Sequence, residues 1–277
     1  MSNENIDRYA VMGNPIAHSK SPQIHQQFAE QTGEQLSYEK IKVETESFAK
    51  AIADFYRNNG KGLNITVPLK EEAFKLASTL TERAQRAGAV NTLILQDENN
   101  YTGDNTDGIG MVTDLSVNHA VKLENKSILI LGAGGAVRGV LEPVIKQQPA
   151  RMVIANRTRE RAENLAKDFS DIAQIEVCEF SQLAGQQFDI IINGTSASLS
   201  GELPPLPDKL FKPESAAYDM MYGKKDTPFM QWAKQNQATT VLDGLGMLVE
   251  QAAESFYCWR KVRPKTKDVI QAIRNSL

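Results

Sequence analysis

At 277 residues the chain is too long for one small core and fits two domains of ordinary size. Hydrophobic residues make up 41% and charged residues 23%, a globular balance that excludes wholesale disorder, and a formal net charge of -3 offers no positive field to nucleic acid or anionic lipid. The three histidines and two cysteines show no metal-site spacing, and the polar N-terminus and lack of an apolar run near ~20 residues predict a cytoplasmic protein without export signal or membrane span.

In chain order, Tyr9 to Gly13 reads as a strand followed by a loop through Pro15 and Ser19. Ser21-Pro22 predicts a helix start, with Ser as N-cap and Pro at the first helical position, where its missing N–H costs nothing. The helix carries Ile24, Phe28 and Ala29 at roughly helical spacing. Tyr38 to Val43 predicts a strand, Ser47 to Asn58 a helix, Gly62 to Val67 a strand stopped by Pro68, and Lys70 to Ser78 a helix. After Asp107-Gly108 a polar helical stretch is expected to about His119 and Glu124. Ser127 to Leu131 is a continuous apolar run suited to a central parallel strand. Further strands are expected at Met152–Ala155, Phe188–Ile192, Ala216–Met220 and Thr240–Leu242, with a weaker one at Gln174–Cys178. Helices close the chain at Met247–Arg260 and Thr266–Asn275.

The fold class is therefore α/β: an N-terminal α/β substrate domain over 1–107, and a Rossmann-type, doubly wound parallel sheet over 108–246. The last helices, 247–277, are expected to pack back on the N-terminal domain.

The turn Gly132-Ala133-Gly134-Gly135-Ala136 lies between a buried strand and a helix. Gly132 permits a tight turn, and Gly134 and Gly135 let the backbone approach a pyrophosphate seated on the helix N-terminus. Val137 departs from the usual fingerprint, and a purely structural turn is the plain alternative. About 20 residues on, where an NAD site carries Asp or Glu, stand Asn156, Arg157 and Thr158, with Arg159 and Arg161 beyond. Thr158 reads as an N-cap, so three arginines gather at the positive end of a helix, an arrangement a 2′-phosphate would relieve. NADP is thus preferred over NAD, and solvated arginines are the alternative.

Three polar segments mark the other half. Ser19-Lys20-Ser21 sets two hydroxyls beside free helix amides, a carboxylate site unless Ser21 only caps. In Asn64 to Lys70, Asn64 and Thr66 share one strand face, and Lys70 lies just past the strand end. The third pairs Asn91-Thr92 with Gly103 to Gly108.

These segments resemble those of the shikimate dehydrogenases, enzymes that reduce 3-dehydroshikimate to shikimate with NADPH. The resemblance rests on Gly13-Asn14-Pro15 with Ser19 and Ser21, on Asn64–Lys70, Gly88–Thr92 and Asn105–Gly108, then on the glycine turn, Asn156-Arg157-Thr158, Tyr218-Asp219-Met220 and Gly244–Gln251, in family order from end to end. It implies Lys70 and Asp107 as the catalytic pair, and Ser19, Ser21, Asn64, Thr66, Asn91, Tyr222 and Gln251 as holders of the substrate carboxylate and hydroxyls. It sets Thr195, Met220 and Gly244 on the nicotinamide side of the cofactor. Of the arginines, Arg157 and Arg161 are the candidates for its 2′-phosphate. The implied setting is aromatic amino acid (chorismate) biosynthesis, with a small-molecule substrate, no nucleic-acid or membrane partner, and a monomer or homodimer. A quinate/shikimate dehydrogenase using NAD is the nearest alternative, disfavoured by Arg157 and the missing acid at Asn156. A non-catalytic NADP-sensing module is the other, disfavoured by the presence of both Lys70 and Asp107.

Overall fold

The structure is a computed structural model that describes residues 6–97, 100–195, 197 and 201–277. The chain divides into two compact units: Met1–Gly110 with Val249–Ser276, and Met111–Leu248 joined by Leu277.

The first unit opens with Asp7–Gly13 (β1), Ser21–Thr32 (α1), Leu36–Lys42 (β2), Phe48–Arg57 (α2), Gly60–Ile65 (β3) and Lys70–Leu76 (α3). It continues with Thr79–Leu80 (β4), Glu82–Ala87 (α4), Thr92–Leu95 (β5) and Tyr101–Asp104 (β6). The sheet order is β2-β1-β3-β5-β6-β4. β1 runs parallel to β2 and β3, whereas β5 runs antiparallel to both β3 and β6. That hairpin is absent from the sequence expectation, because four residues each are too few to show a period and Gly103 and Asp104 look like a turn. β2 closes one edge and turns Ser37, Glu39 and Lys40 outward, which discourages pairing with another chain.

Three expectations are corrected here. Ser21 is not the N-cap: Lys20 holds that place and Ser21 is the first helical residue, so Pro22 comes second. It is Ser19 Oγ that accepts from the Ser21 N–H, at 3.3 Å. β3, the strand of the Lys70 segment, ends at Ile65, so Thr66 does not extend a face with Asn64 but begins the loop to α3. Gly13 lets this loop approach, because a Cβ there would stand 2.4 Å from the Thr66 methyl.

The end of the chain completes this unit. The helix Leu245–Arg260 (α9) contributes its residues from Val249 onward, and Lys267–Asn275 (α10) packs against α1. Trp259 donates its indole N–H to Leu93 O at 3.0 Å over Gly62, where a Cβ would collide with the ring at 2.4 Å. Arg260 bridges Asp7 and Glu34.

In the second unit Asp107–Thr113 (α5) enters from the first and continues as a π-turn over Asp114–Asn118. The sequence reads this stretch as polar, yet Met111, Val112 and Leu115 are buried, and so is Asp114, which accepts from Tyr218 Oη at 2.8 Å. Then follow Ser127–Leu131 (β7), Gly135–Ile145 (α6), Arg151–Ala155 (β8), Arg159–Asp168 (α7), Glu176–Cys178 (β9), Phe188–Asn193 (β10), Phe211–Asp219 (β11), Pro228–Gln235 (α8) and Thr240–Leu242 (β12). The strands pair in parallel in the order β12-β11-β10-β7-β8-β9. Alternation along β7 feeds two cores: Ile128 and Ile130 join Val137, Val140 and Ile192 on one face, Leu129 and Leu131 join Val153, Ile191 and Phe229 on the other. A strand buried on both faces must be apolar throughout, hence its unbroken hydrophobic run. Strand order reverses between β7 and β10, the switch point at which open α/β sheets take ligands at their carboxyl ends.

Candidate active site

In the first unit the chemistry gathers where β3 and β6 end and β5 begins. Lys70, the first residue of α3, donates from Nζ to Asp107 Oδ2 at 2.6 Å. Both side chains are partly exposed, 29% and 20%, so the pair is open to a ligand while anchored in the fold. Asn91 braces it from behind. Its Nδ2 donates to Asp107 Oδ1 at 2.8 Å, with Thr106 Oγ1 and Gln251 Oε1 at 3.0 and 3.3 Å. Its Oδ1 accepts from the Thr106 N–H at 3.0 Å and from Thr92 Oγ1 at 2.8 Å. Asn64 continues the network: Nδ2 donates to Asn91 O and to Ser255 Oγ, and Oδ1 meets Tyr38 Oη at 2.7 Å and His25 Nε2 at 3.1 Å. Ser19 and Ser21 stand at the start of α1 with their hydroxyls 3.2 Å apart.

A buried ion pair fixes the strand that delivers Asp107. Arg83 grips Asp104 at the end of β6 with two bonds, 2.7 and 2.6 Å, and reaches Glu254 at 3.0 Å. Burial alone would raise the Asp104 carboxyl, but the Arg83 guanidinium, the Thr81 hydroxyl and the Asn105 N–H outweigh it and hold the group below the usual carboxylate range.

The twelve cofactor candidates all belong to the second unit and lie at or beyond the carboxyl ends of its parallel strands. Gly132 has φ +104 and donates to Ala155 O at 2.8 Å, a backbone that a side chain would strain. A Cβ on Gly134 or Gly135 would meet nothing within 4 Å, so the space above both is free of protein. Val137 departs from the fingerprint because the small residue sits opposite: a Cβ on Gly194 would stand 2.5 Å from Val137 Cγ2, so Gly194 supplies the close helix–strand approach. Thr195 donates to Asn193 Oδ1 at 2.7 Å, Met220 N–H to Asn193 O at 3.0 Å, and a Cβ on Gly244 would lie 2.3 Å from Met220 O. These three therefore cluster beside the turn. After β8, Asn156 Nδ2 donates to Thr158 O at 2.8 Å, and Thr158 holds the N-cap position of α7. Of the three arginines, Arg159 pairs with Glu163 at 2.7 Å, whereas Arg157 and Arg161 are exposed without an acid partner among the described residues. Open space over two helix-terminal glycines and two unneutralised arginines fit a pyrophosphate and a 2′-phosphate respectively.

Models of three families together span most of the chain. The shikimate dehydrogenase substrate binding domain matches residues 11–93, the shikimate / quinate 5-dehydrogenase 114–200, and the shikimate 5'-dehydrogenase C-terminal domain 244–274. NADP(+) shikimate dehydrogenase of Cellvibrio japonicus is 56% identical over 271 residues, covering 98% of each chain. The chain belongs to the shikimate dehydrogenase family. Its relative in Alkalilimnicola ehrlichii is 55% identical over 268 residues, 97% of this chain and 98% of that one. Among solved structures, an Ael1 enzyme from Pseudomonas putida matches with TM-score 0.91 at 46% identity, covering 96% and 97% of the two chains. The Thermus thermophilus shikimate 5-dehydrogenase, solved with NADP(H) and shikimate, matches with TM-score 0.87 at 33% identity over 98% and 100%.

Of the catalytic and substrate candidates, Lys70, Asp107, Asn64, Asn91 and Gln251 are linked by hydrogen bonds in this family member's first unit. Thr66 follows β3 in the same unit, and Tyr222 belongs to the other, just past β11, where burial and then the Asp243 charge push its phenol up. Sequence reasoning missed His25, Tyr38 and Ser255. No local pattern marks them, since His25 and Ser255 sit on apolar helix faces and reach Asn64 only through folding.

Proposed function

We propose that the chain catalyses the reversible, NADP-dependent reduction of 3-dehydroshikimate to shikimate, with the first unit as substrate domain and the second as cofactor domain. The observation that carries this is the 2.6 Å contact of Lys70 with Asp107, braced by Asn91 and set among polar side chains suited to a polyol acid. Family membership supplies the substrate class, since relatives across nearly the whole chain are NADP(+) shikimate dehydrogenases.

When bound, NADPH supplies the hydride. Addition of a hydride to the ketone carbon leaves negative charge on its oxygen, and the Lys70 ammonium stabilises that charge and donates the proton, becoming a neutral amine. In the reverse direction the Lys70 amine takes the proton from the substrate hydroxyl. Asp107 Oδ2 holds Nζ at one place, and Asn91 in turn fixes the carboxylate plane. Asn64, Thr66, Gln251 and Tyr222 offer partners for ring hydroxyls, and Ser19 and Ser21 for the carboxylate. Gly132 to Ala136 seat the pyrophosphate, Asn156, Arg157, Thr158 and Arg161 the adenosine end, and Thr195, Met220 and Gly244 the nicotinamide. No helix among the described residues is long and apolar enough to cross a membrane, and we place the enzyme in the cytoplasm as a monomer or homodimer.

The test is steady-state kinetics of the purified chain with shikimate and quinate, each with NADP+ and NAD+. Shikimate with NADP+ should be the preferred pair; preference for quinate with NAD+ would overturn the reading. Lys70→Ala should lower kcat by about 10²- to 10⁴-fold with the KM for NADP+ unchanged, and wild-type turnover would remove Lys70 from the chemistry.

A further inference from the structure

His25 is wholly enclosed, 0% exposed, in a box of Phe28, Tyr38, Phe256 and Trp259. Its ring stacks on Tyr38 with centroids 4.3 Å apart, and Nε2 lies 3.1 Å from Asn64 Oδ1. The direction of that bond is decided on the other side of Asn64. The backbone oxygen of Asn91 can only accept, and it lies 3.2 Å from Asn64 Nδ2. The amide nitrogen therefore faces Asn91 and Ser255, and Oδ1 faces His25 and Tyr38. An amide oxygen can only accept in turn, so the Tyr38 hydroxyl and the His25 Nε2–H both donate to it.

One proton of the imidazole is thus assigned to Nε2, which leaves Nδ1 as a bare lone pair. Nδ1 is buried and has no hydrogen-bond partner among the described residues. A second proton would place a charge among four aromatic rings with no acceptor, and burial lowers the pKa to about 3. An apolar side chain would fill this box without leaving a nitrogen unsatisfied. The histidine is explained by what it gives Asn64.

We propose that His25 is a positioning residue of the reaction: as an Nε2–H donor to Oδ1 it steadies the Asn64 amide with Nδ2 presented toward the Asn91 side of the substrate site. This rests on the reading of Asn64 as a substrate contact. Without the second donor, Asn64 Oδ1 keeps only the Tyr38 hydroxyl and the amide, still facing Asn91 through Nδ2, is held less tightly, so the cost falls on substrate recognition rather than on the cofactor.

Two variants separate the donor from the packing. His25→Leu keeps the apolar volume and removes the donor; His25→Gln keeps an N–H at similar reach. His25→Leu should raise the KM for shikimate about 10- to 100-fold, the range for one lost buried hydrogen bond, leave the KM for NADP+ unchanged, and be largely rescued in His25→Gln. In an Asn64→Ala background, His25→Leu should add little, because both act through the same amide. An unchanged shikimate KM in His25→Leu, equal impairment of the two variants, or additivity with Asn64→Ala would overturn the proposal. An unchanged shikimate KM in Asn64→Ala alone would instead sink the reading of Asn64 as a substrate contact. Imidazole 15N spectra of the unaltered protein provide a test that needs no variant to fold. They should show the Nε2–H tautomer, unchanged from about pH 5 to about pH 9; an Nδ1–H tautomer, or titration within that range, would overturn the assignment.

Discussion

Gly135→Ala separates stability from cofactor affinity in the second unit. Gly135 is the first residue of α6 and has no positive φ, so alanine fits its backbone. The added Cβ meets no protein atom within 4 Å. In the folded protein nothing is lost, and the unfolded chain loses freedom, so stability should stay level or rise by up to about 1 kcal/mol. The same methyl occupies the space assigned to the pyrophosphate. Overpacking of that kind costs ~1–3 kcal/mol, which weakens NADP+ binding by about 5- to 150-fold. Gly132→Ala is the opposite case: φ is +104 and its Cβ would lie 3.2 Å from the Gly194 backbone, so stability itself should fall. A left-handed backbone alone costs alanine ~1–2 kcal/mol. Urea denaturation without ligand and calorimetric titration with NADP+ read the two effects separately. Unchanged NADP+ affinity in Gly135→Ala would refute a pyrophosphate over this turn, and so would affinity that fell only in step with stability.

Arg157→Ala and Arg161→Ala should each weaken NADP+ binding by about tenfold or more, the scale of a charge-assisted hydrogen bond, and leave NAD+ binding unchanged; equal losses for both cofactors would refute a 2′-phosphate contact. Arg83→Met should destabilise the first unit by about 3 kcal/mol near neutral pH by stranding the buried Asp104 carboxylate. The Asp104 carboxyl lies below its unfolded value, so the stability of the pair is fully present above that value and is lost as pH falls through the folded one. Urea denaturation should therefore show the gap between Arg83→Met and wild type narrowing below about pH 4, and a gap independent of pH would show that Asp104 is not the cause.

The sequence by itself determined the Rossmann-type half almost completely. A strand buried on both faces must be apolar throughout, and a turn beneath a phosphate must be glycine, so β7 and Gly132 to Gly135 are written in local residue types. Lys70, Asp107 and Asn91 were legible as polar residues at strand ends, and the resemblance gave them roles. The tertiary structure alone decided how they are held. The β5–β6 hairpin is too short to carry a period, yet it brings Asn91 to Asp107. Val137 departs from the fingerprint because Gly194, just past β10 and far off in sequence, makes room for it. His25 and Ser255 read as ordinary helix residues, and only packing brings them, from opposite ends of the chain, to the one amide of Asn64. Periodicity reports what a segment buries; which donor meets which acceptor depends on contacts between residues far apart in sequence, and these exist only in the folded chain.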